Sequence, residues 1–109
     1  MKNRNFSYNT SSKPDFMKIT REDHGKKGVF TIFKEDEQIG KMTYTWAGKD
    51  KFIIDHTEVD DGHEGNGYGK MLVMEAVSFA RAENLKIMPL CPFAKKVFDK
   101  NSDLEDVAF

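Results

Sequence analysis

Hydrophobic and polar residues alternate along the first half of the chain, which is typical of half-buried β-strands. Residues 28–36 and 38–48 alternate and are rich in β-branched and aromatic side chains, and 51–59 has the strongest strand pattern. A weaker strand pattern covers 16–23. Between the two alternating segments, the run Glu-Asp-Glu-Gln at 35–38 predicts a hairpin turn. The first half therefore predicts an antiparallel meander of four strands.

The pattern changes to helical spacing between Tyr68 and about Asn84, with charged residues on the opposite side. Residues 84–90 then predict a short buried strand, and 92–101 a second helix, because proline suits the first helical position. The apolar end of the tail is expected to pack back onto the body. The order ββββ, α, β, α predicts an α+β (mixed α/β) domain with a mainly antiparallel sheet.

Charge and composition narrow the range of partners and compartments. The chain has 17 Lys and Arg against 18 Asp and Glu, so no net field favours nucleic acid or an anionic membrane as partner. Its one cysteine excludes an internal disulfide, and no segment looks like a membrane span or a signal core. We expect a cytoplasmic protein with a flexible leader over 1–15 and one domain over 16–109. No metal is expected, because no Cys/His cluster has ligand spacing.

Three glycines at alternate positions, Gly65, Gly67 and Gly69, lie immediately before and at the start of the first predicted helix. Glycine lets the main chain approach a bulky anion and adopt positive φ. The start of a helix adds unbonded N–H groups and partial positive charge. We therefore expect the N–H groups of residues 65–70 to face a phosphate-bearing ligand, such as a pyrophosphate. A glycine-rich surface turn that binds nothing is the alternative.

One of three phosphate-binding patterns fits this loop. The P-loop fails because Tyr68 and Gly69 stand where Lys and Ser or Thr are required. The GxGxxG fingerprint fails because Lys70 stands at its third glycine, and the preceding strands do not suit a doubly wound fold. The pattern [Q/R]xxGx[G/A] fits at Gly67 and Gly69, with Glu64 in its first position.

On these residues the chain resembles the GNAT superfamily of acetyl-CoA-dependent N-acetyltransferases, and within it a branch of very short members with a Cys-Pro-Phe segment. The segments 54–59, 64–87 and 89–98 carry the resemblance, which extends over about 29–107. It implies that coenzyme A, as co-substrate acetyl-CoA, lies across the splayed end of strand 51–59. Its pantetheine would pair with that strand and its pyrophosphate with the loop. The cofactor-binding residues implied are Thr57, Val59, Glu64, Gly65, Asn66, Gly67, Tyr68, Gly69, Lys70, Phe93 and Lys96.

The sequence departs from the superfamily at three points. Glu64 replaces the usual Gln or Arg, and a carboxylate beside a pyrophosphate is unfavourable unless it points away. Val97 and Phe98 stand where many members have a Tyr that protonates the departing thiolate, and the early helices that shape the acceptor site are missing. Besides an N-acetyltransferase, the alternatives are a non-catalytic module that binds CoA or acyl-CoA and a structural protein with a vestigial loop.

Acetyl transfer to an amine needs a base, a donor to the oxyanion and an acid for the thiolate. Strand alternation predicts that His56 and Glu58 lie on the same face as Phe52 and Ile54. His56 and Glu58 can both accept a proton, so they are the candidates for the base. The competing interpretations are a core histidine and a solvated carboxylate. The N–H of Val59 is the expected oxyanion donor.

Cys91 is expected at the N-cap of the second helix, where the helix dipole favours the thiolate. It would lie near the CoA sulfur in direct transfer, or accept the acetyl group in a relay assisted by His56; an inert buried thiol is the alternative. His63, in the loop, is expected to be exposed, and a contact with a phosphate is the alternative. The sequence does not identify the amine acceptor, a small molecule or a peptide, or the oligomeric state.

Overall fold

The computed structural model describes residues 16–109, and the predicted leader over 1–15 lies outside this range. The sheet has five strands that lie side by side in chain order, antiparallel except for the parallel pairing of β4 with β5. This arrangement confirms the predicted α+β fold. The elements are β1 (Met17–Asp23), β2 (Lys27–Lys34), β3 (Glu37–Trp46), β4 (Lys51–Val59), α1 (Tyr68–Glu83), β5 (Lys86–Pro89), α2 (Pro92–Lys100) and a C-terminal 3₁₀ helix (Ser102–Val107).

The hairpin between β2 and β3 is tighter than the sequence predicts. Only Glu35 and Asp36 form the turn, with φ of 51° and 72°. Two consecutive residues with positive φ match the right-handed twist of the flanking strands, so a two-residue turn joins them without splaying. The predicted turn over 35–38 and the predicted strand end at residue 36 are therefore wrong by one or two residues.

Both α-helices and the 3₁₀ helix pack on the same face of the sheet. One cluster of buried residues joins β2, β3 and β4 to α1, α2 and the 3₁₀ helix. The other face, called the open face here, has no covering element among the described residues, and no side chain on it is buried. Cross-strand pairs define it. Its members are Thr20, Val29, Thr31, Phe33, Lys41, Thr43, Thr45, Ile53, His56 and Glu58.

The tail packs against α1 and β5, as the sequence predicts. Leu104 and Val107 are buried in the core, and Arg81 holds the tail through two hydrogen bonds to the Asp106 carboxylate. The N–H of Phe109 donates to the carbonyl of Ile87, so the chain end lies beside the edge strand. Among residues 16–109, no helix has the length and apolarity needed to cross a bilayer.

Candidate functional site

Strands β4 and β5 separate after Ile54 and leave a notch in the sheet. Their pairing runs from Lys51 to Ile54 on β4, whereas β4 itself continues to Val59. The N–H groups of Leu90 and Cys91 both donate to the carbonyl of Ile54, which ends β5 and directs the chain into α2. The last five residues of β4 therefore have β3 on one side and no described strand on the other. Their outward main-chain groups are available to an extended ligand.

The alternation of side chains along β4 breaks at Asp55. Thr43 pairs with His56 and Tyr44 pairs with Ile54, so Asp55 is the extra residue of a β-bulge. A bulge shifts every later side chain to the opposite face. The prediction that His56 and Glu58 share a face with Phe52 and Ile54 is therefore wrong.

Beyond the bulge, the Thr57 side chain lies on the face that the helices cover, whereas those of His56 and Glu58 lie on the open face. The Thr57 hydroxyl lies 3.4 Å from the Cys91 sulfur. His56 Nε2 lies 3.1 Å from Glu58 Oε1, and Glu58 also pairs with Lys41 at 3.8 Å. The side chains of His56 and Glu58 are 65% and 47% exposed. The two candidate bases thus form one exposed pair, on the other side of the sheet from the cysteine.

The three glycines of the loop are required for two different reasons. Gly65 and Gly67 have φ of 81° and 82°, which side chains disfavour, although a β-carbon there would have no atom within 4 Å. Gly69 is helical and buried, and a β-carbon there would lie 2.8 Å from the Phe93 ring. The first two glycines shape the turn, and the third makes room for an aromatic ring.

The two helices begin differently. Gly67 is the N-cap of α1, no side chain caps it, and the first turn contains no acidic residue. At α2, by contrast, the Cys91 sulfur accepts a hydrogen bond from the Ala94 N–H at 3.3 Å, which confirms the predicted N-cap. An uncapped start leaves N–H groups and the positive end of the dipole to a ligand. The start of α1 is therefore the better anion site.

Glu64 is bonded within the turn that precedes the glycines. Its Oε1 accepts a hydrogen bond from the Gly62 N–H at 3.0 Å. The Asn66 amide donates to the carbonyl of His63 at 3.1 Å, which ties the two halves of the loop together. The carboxylate that replaces the usual Gln or Arg thus has a local role, because it holds the preceding turn.

A cavity of about 410 Å³ opens between the loop, β4 and the start of α2. The predicted residues Asn66, Lys70 and Lys96 do not line it and are exposed. His63 does line it and is half-buried, so the expectation that it is exposed is wrong. Only its place in the glycine loop could have indicated this. The cavity is lined by Thr57, Val59, His63, Glu64, Gly65, Gly67, Tyr68, Gly69 and Phe93.

Cys91 does not line this cavity, although it contacts Thr57, which does. Its residue is 4% exposed, and its sulfur contacts Thr57 and the Ala94 N–H. Within the described part of the chain, no group of three or more His, Cys, Asp and Glu side chains could hold a metal ion.

Comparison with known proteins identifies the family. A family model described as GCN5-related N-acetyl-transferase matches residues 29–107, from the second strand to the end of the 3₁₀ helix. The chain belongs to the GCN5-related N-acetyltransferases. The resemblance inferred from the sequence is thereby confirmed.

Relatives place the chain in a short branch of these N-acetyltransferases. The protein NATD1 of Xenopus tropicalis is 33% identical over 60 residues, which cover 55% of each chain, so the match spans about half the length of that relative. A GCN5-like protein of Staphylococcus aureus, solved by NMR, superposes with a TM-score of 0.63 at 34% identity, covering 83% of this chain and 87% of the other. A Bacillus anthracis acetyltransferase solved in complex with acetyl coenzyme A shares the fold, with a TM-score of 0.53 and 20% identity over 62% of this chain and 39% of its own.

Proposed function

We propose that this protein transfers the acetyl group of acetyl-CoA to a primary amine. The observation that carries the proposal is the uncapped start of α1, reached by two positive-φ glycines at the open end of the β4–β5 notch. That arrangement offers N–H groups to a pyrophosphate and a free strand edge to a pantetheine. The solved Bacillus anthracis relative with bound acetyl coenzyme A supports the choice of ligand.

The residues that would hold the co-substrate follow from this arrangement. The N–H groups from Gly65 to Lys70 would receive the pyrophosphate, with Asn66 and Glu64 fixing the loop through their own hydrogen bonds. The main chain of Thr57 and Val59 would pair with the pantetheine along the free edge of β4. Phe93, on α2, would contact the ligand from one side. Lys70 and Lys96, both exposed, would contact phosphate oxygens that face solvent.

We favour direct transfer over a cysteine relay. The amine nitrogen would attack the acetyl carbonyl carbon, the carbon–sulfur bond to CoA would break, and CoA would leave as thiolate. The acceptor would attack as the neutral amine, having already lost its extra proton to solvent, and the proton released from its nitrogen as the amide forms would pass to the His56–Glu58 pair and then to solvent. The N–H of Val59 would donate to the carbonyl oxygen as negative charge develops there.

The separation of the candidate groups supports this choice. A relay assisted by His56 needs the Cys91 sulfur and the imidazole at one reacting carbon. The bulge at Asp55 instead sets His56 on the open face, whereas Cys91 is buried on the helix side against Thr57. Cys91 then serves as the N-cap of α2 and carries no acetyl group of its own.

The test combines co-substrate binding with turnover. Titration of isotope-labelled protein with CoA should shift the amide signals of residues 65–70, and an amine panel with acetyl-CoA should release free CoA. His56→Gln and Glu58→Gln should each lower kcat by about 100-fold, the lower end of what a general base contributes. The matched control is His24→Gln, which removes a similar exposed histidine 3.9 Å from Glu22 and should leave kcat unchanged.

The variant Cys91→Ala separates the two mechanisms. Direct transfer predicts that it keeps most of the activity and that mass spectrometry finds no acetyl group on Cys91 of the native protein. An acetylated Cys91, with activity lost in the variant, would establish the relay. CoA binding without turnover on any amine would instead favour a non-catalytic CoA-binding module, and absence of shifts at 65–70 would refute the proposal.

A further inference from the structure

The outer edge of β1 carries main-chain groups that have no partner within residues 16–109. β1 is the first strand in the sheet order and pairs on one side only, with β2. The Glu35 N–H donates to the Phe16 carbonyl and the His24 N–H to the Lys27 carbonyl, so the even-numbered residues of this strand bond to β2. Hydrogen-bonded and non-hydrogen-bonded pairs alternate along an antiparallel ladder. The groups that face outward are therefore those of the odd-numbered residues, Met17, Ile19, Arg21 and Asp23.

A second copy of β1 fits this edge in one register that uses the full length of the strand. Two antiparallel edge strands bond through their outward groups, so odd-numbered residues must lie opposite odd-numbered residues. A two-fold axis at Thr20 satisfies this rule, places Met17 opposite Asp23 of the second copy and Ile19 opposite its Arg21, and pairs all 7 residues. An axis at Ile19 or Arg21 leaves the last two residues of each strand unpaired, and at Arg21 it sets two guanidinium groups opposite each other.

The charges of β1 complement themselves in this register. Lys18 lies opposite Glu22 of the second copy, and the two-fold axis repeats the pair. Both side chains lie on the open face, since β2 sets Phe33 and Val29 opposite them. They form non-hydrogen-bonded pairs, in which side chains lie closest, and opposite charges at such positions stabilise antiparallel strands. The formal net charge of the whole chain is -1, so repulsion between two copies is weak.

The existing contacts of these side chains leave room for this pairing. Lys18 has the Phe33 ring at 5.7 Å, and Glu22 has the exposed His24 at 3.9 Å. Lys27, a further cation on this face near the strand end, donates to a hydroxyl of β3 at 3.1 Å. Within residues 16–109, Lys18 has no carboxylate partner, so the second copy supplies one.

Apolar surface at the same edge remains to be covered. Met17 and Ile19 lie at the margin of the core and are half-buried, and Phe16 is 54% exposed. In this register Ile19 packs against the aliphatic part of Arg21 of the second copy. That guanidinium keeps its own pair with Asp23 at 3.5 Å, so its charge remains balanced. The edge thus offers apolar contact together with main-chain hydrogen bonds and charge pairs.

We propose that two copies of this chain associate through β1, antiparallel about Thr20, so that their two five-stranded sheets become one continuous sheet. The inference does not depend on the proposed acetyl transfer. The two-fold axis is perpendicular to the sheet, so both helix layers lie on the same side of it. β1 lies three strand spacings from β4, roughly 14 Å, so each candidate site stays accessible in the dimer.

The first experiment measures association of the full chain and the main-chain pattern that accompanies it. Sedimentation equilibrium should show a monomer–dimer equilibrium. Amide hydrogen exchange, followed by NMR at low and high protein concentration, should slow at least tenfold at the odd-numbered residues of β1 as the dimer forms, because only their N–H groups gain a partner. The internal control is Lys18, Thr20 and Glu22, which already bond to β2 in the monomer and should change much less.

The second experiment reverses the charges of the edge. Lys18→Glu and Glu22→Lys should each weaken dimerisation about tenfold, because each variant turns two attractive cross-strand pairs into two repulsive ones. An equimolar mixture of the two variants should associate as tightly as the native protein, since every glutamate then lies opposite a lysine again. The matched controls are Lys100→Glu and Glu75→Lys, both exposed on helices, which should leave association unchanged.

Three results would overturn the inference. The first is a monomer at every concentration. The second is a dimer that neither charge variant weakens, which would place the contact on another surface. The third is slow exchange of the odd-numbered amides in the monomer itself, which would mean that another part of the chain already occupies the edge. The test of acetyl transfer at residues 65–70 is independent of all three.

Discussion

Phe93 and Gly69 act together at the scale of single residues. The ring of Phe93 is 41% exposed, lines the cavity and lies where a β-carbon at position 69 would be. Glycine inside a helix costs up to about 1 kcal/mol relative to alanine. Here the Phe93 ring occupies the position of the missing β-carbon. The glycine therefore contributes to the shape of the site more than to the stability of the helix.

Gly69→Ala should therefore leave stability nearly unchanged while weakening CoA binding. The gain in helix propensity offsets the cost of moving the ring, whose clashing atoms are its exposed far end. The displaced ring would narrow the cavity and lower CoA affinity about tenfold or less, which is roughly 1.4 kcal/mol. Thermal unfolding and calorimetric titration measure the two effects.

The double variant with Phe93→Ala is the control for this prediction. Removing the ring should restore part of the affinity, because the alanine at position 69 then has no neighbour to displace. Equal affinity of the single variant and the native protein would show that the ring does not border the ligand.

At the scale of elements, Asp23 fixes the end of β1 to the rest of the sheet. Its carboxylate accepts hydrogen bonds from the Trp46 indole at 2.7 Å, the Tyr44 hydroxyl at 2.8 Å and the Gly25 N–H at 3.0 Å. These hydrogen bonds hold the pKa of Asp23 below its ordinary value of 3.8, and the bond from Trp46 has the largest effect. The charge of Arg21 adds a weaker attraction. Burial raises the pKa of Tyr44, so its hydroxyl remains a donor at neutral pH.

This network makes part of the stability depend on pH. A lowered carboxyl pKa means that the stabilisation is fully present above pH 3.8 and is lost as the pH falls through the folded-state pKa. Asp23→Asn should lower the free energy of unfolding by about 1–2 kcal/mol at neutral pH. This is the lower part of the range for hydrogen bonds to charged groups, because the Asp23 side chain is 30% exposed to solvent. The difference from the native protein should shrink below pH 3.8 in denaturant titrations. A difference that is constant with pH would show that the charge of Asp23 contributes nothing.

The strands and helices also show how far sequence patterns determine this fold. β4, α1 and the start of α2 are predicted at their observed first residues, because each has a strong period or a clear signal such as Pro92. The bulge at Asp55 is not predictable in this way. Residues 55–58 are all polar, so neither face of the strand is marked by apolar residues, and only the pairing with β3 reveals the extra residue. One unpredicted residue thus moved both candidate bases to the opposite side of the sheet.

The local geometry of the candidate site was predictable where the conformation of the main chain determines it. The glycine loop, its position at the start of α1 and the N-cap role of Cys91 all follow from residue types at fixed spacing. The hydrogen bond of Glu64 to Gly62 and the place of His63 in the cavity depend on how the loop closes on itself. No local period of the sequence encodes that closure.

At the scale of the whole molecule, one face of the sheet carries the core, and the other has no covering element among residues 16–109. The core, both α-helices and the 3₁₀ helix share the covered side, and the candidate site lies at the end of the sheet where β4 ends. The network of Asp23 lies at the opposite end, beside the turn that contains Gly25. Strain introduced at the two ends should therefore have the same effect on stability and different effects on ligand binding.

Gly67→Ala and Gly25→Ala test this separation. Both glycines have positive φ, 82° and 97°, and neither has an atom within 4 Å of a β-carbon, so each variant should lose about 1–2 kcal/mol. CoA at 100 times its Kd should stabilise the native protein by about 2.7 kcal/mol, which is about 10–20 °C in Tm for a domain of this size. Gly25→Ala should show that full rise from its lower starting Tm, whereas Gly67→Ala should show little rise, because its N–H groups no longer meet the diphosphate. Equal rises in the two variants would mean that the loop at Gly67 does not bind the ligand that stabilises the protein.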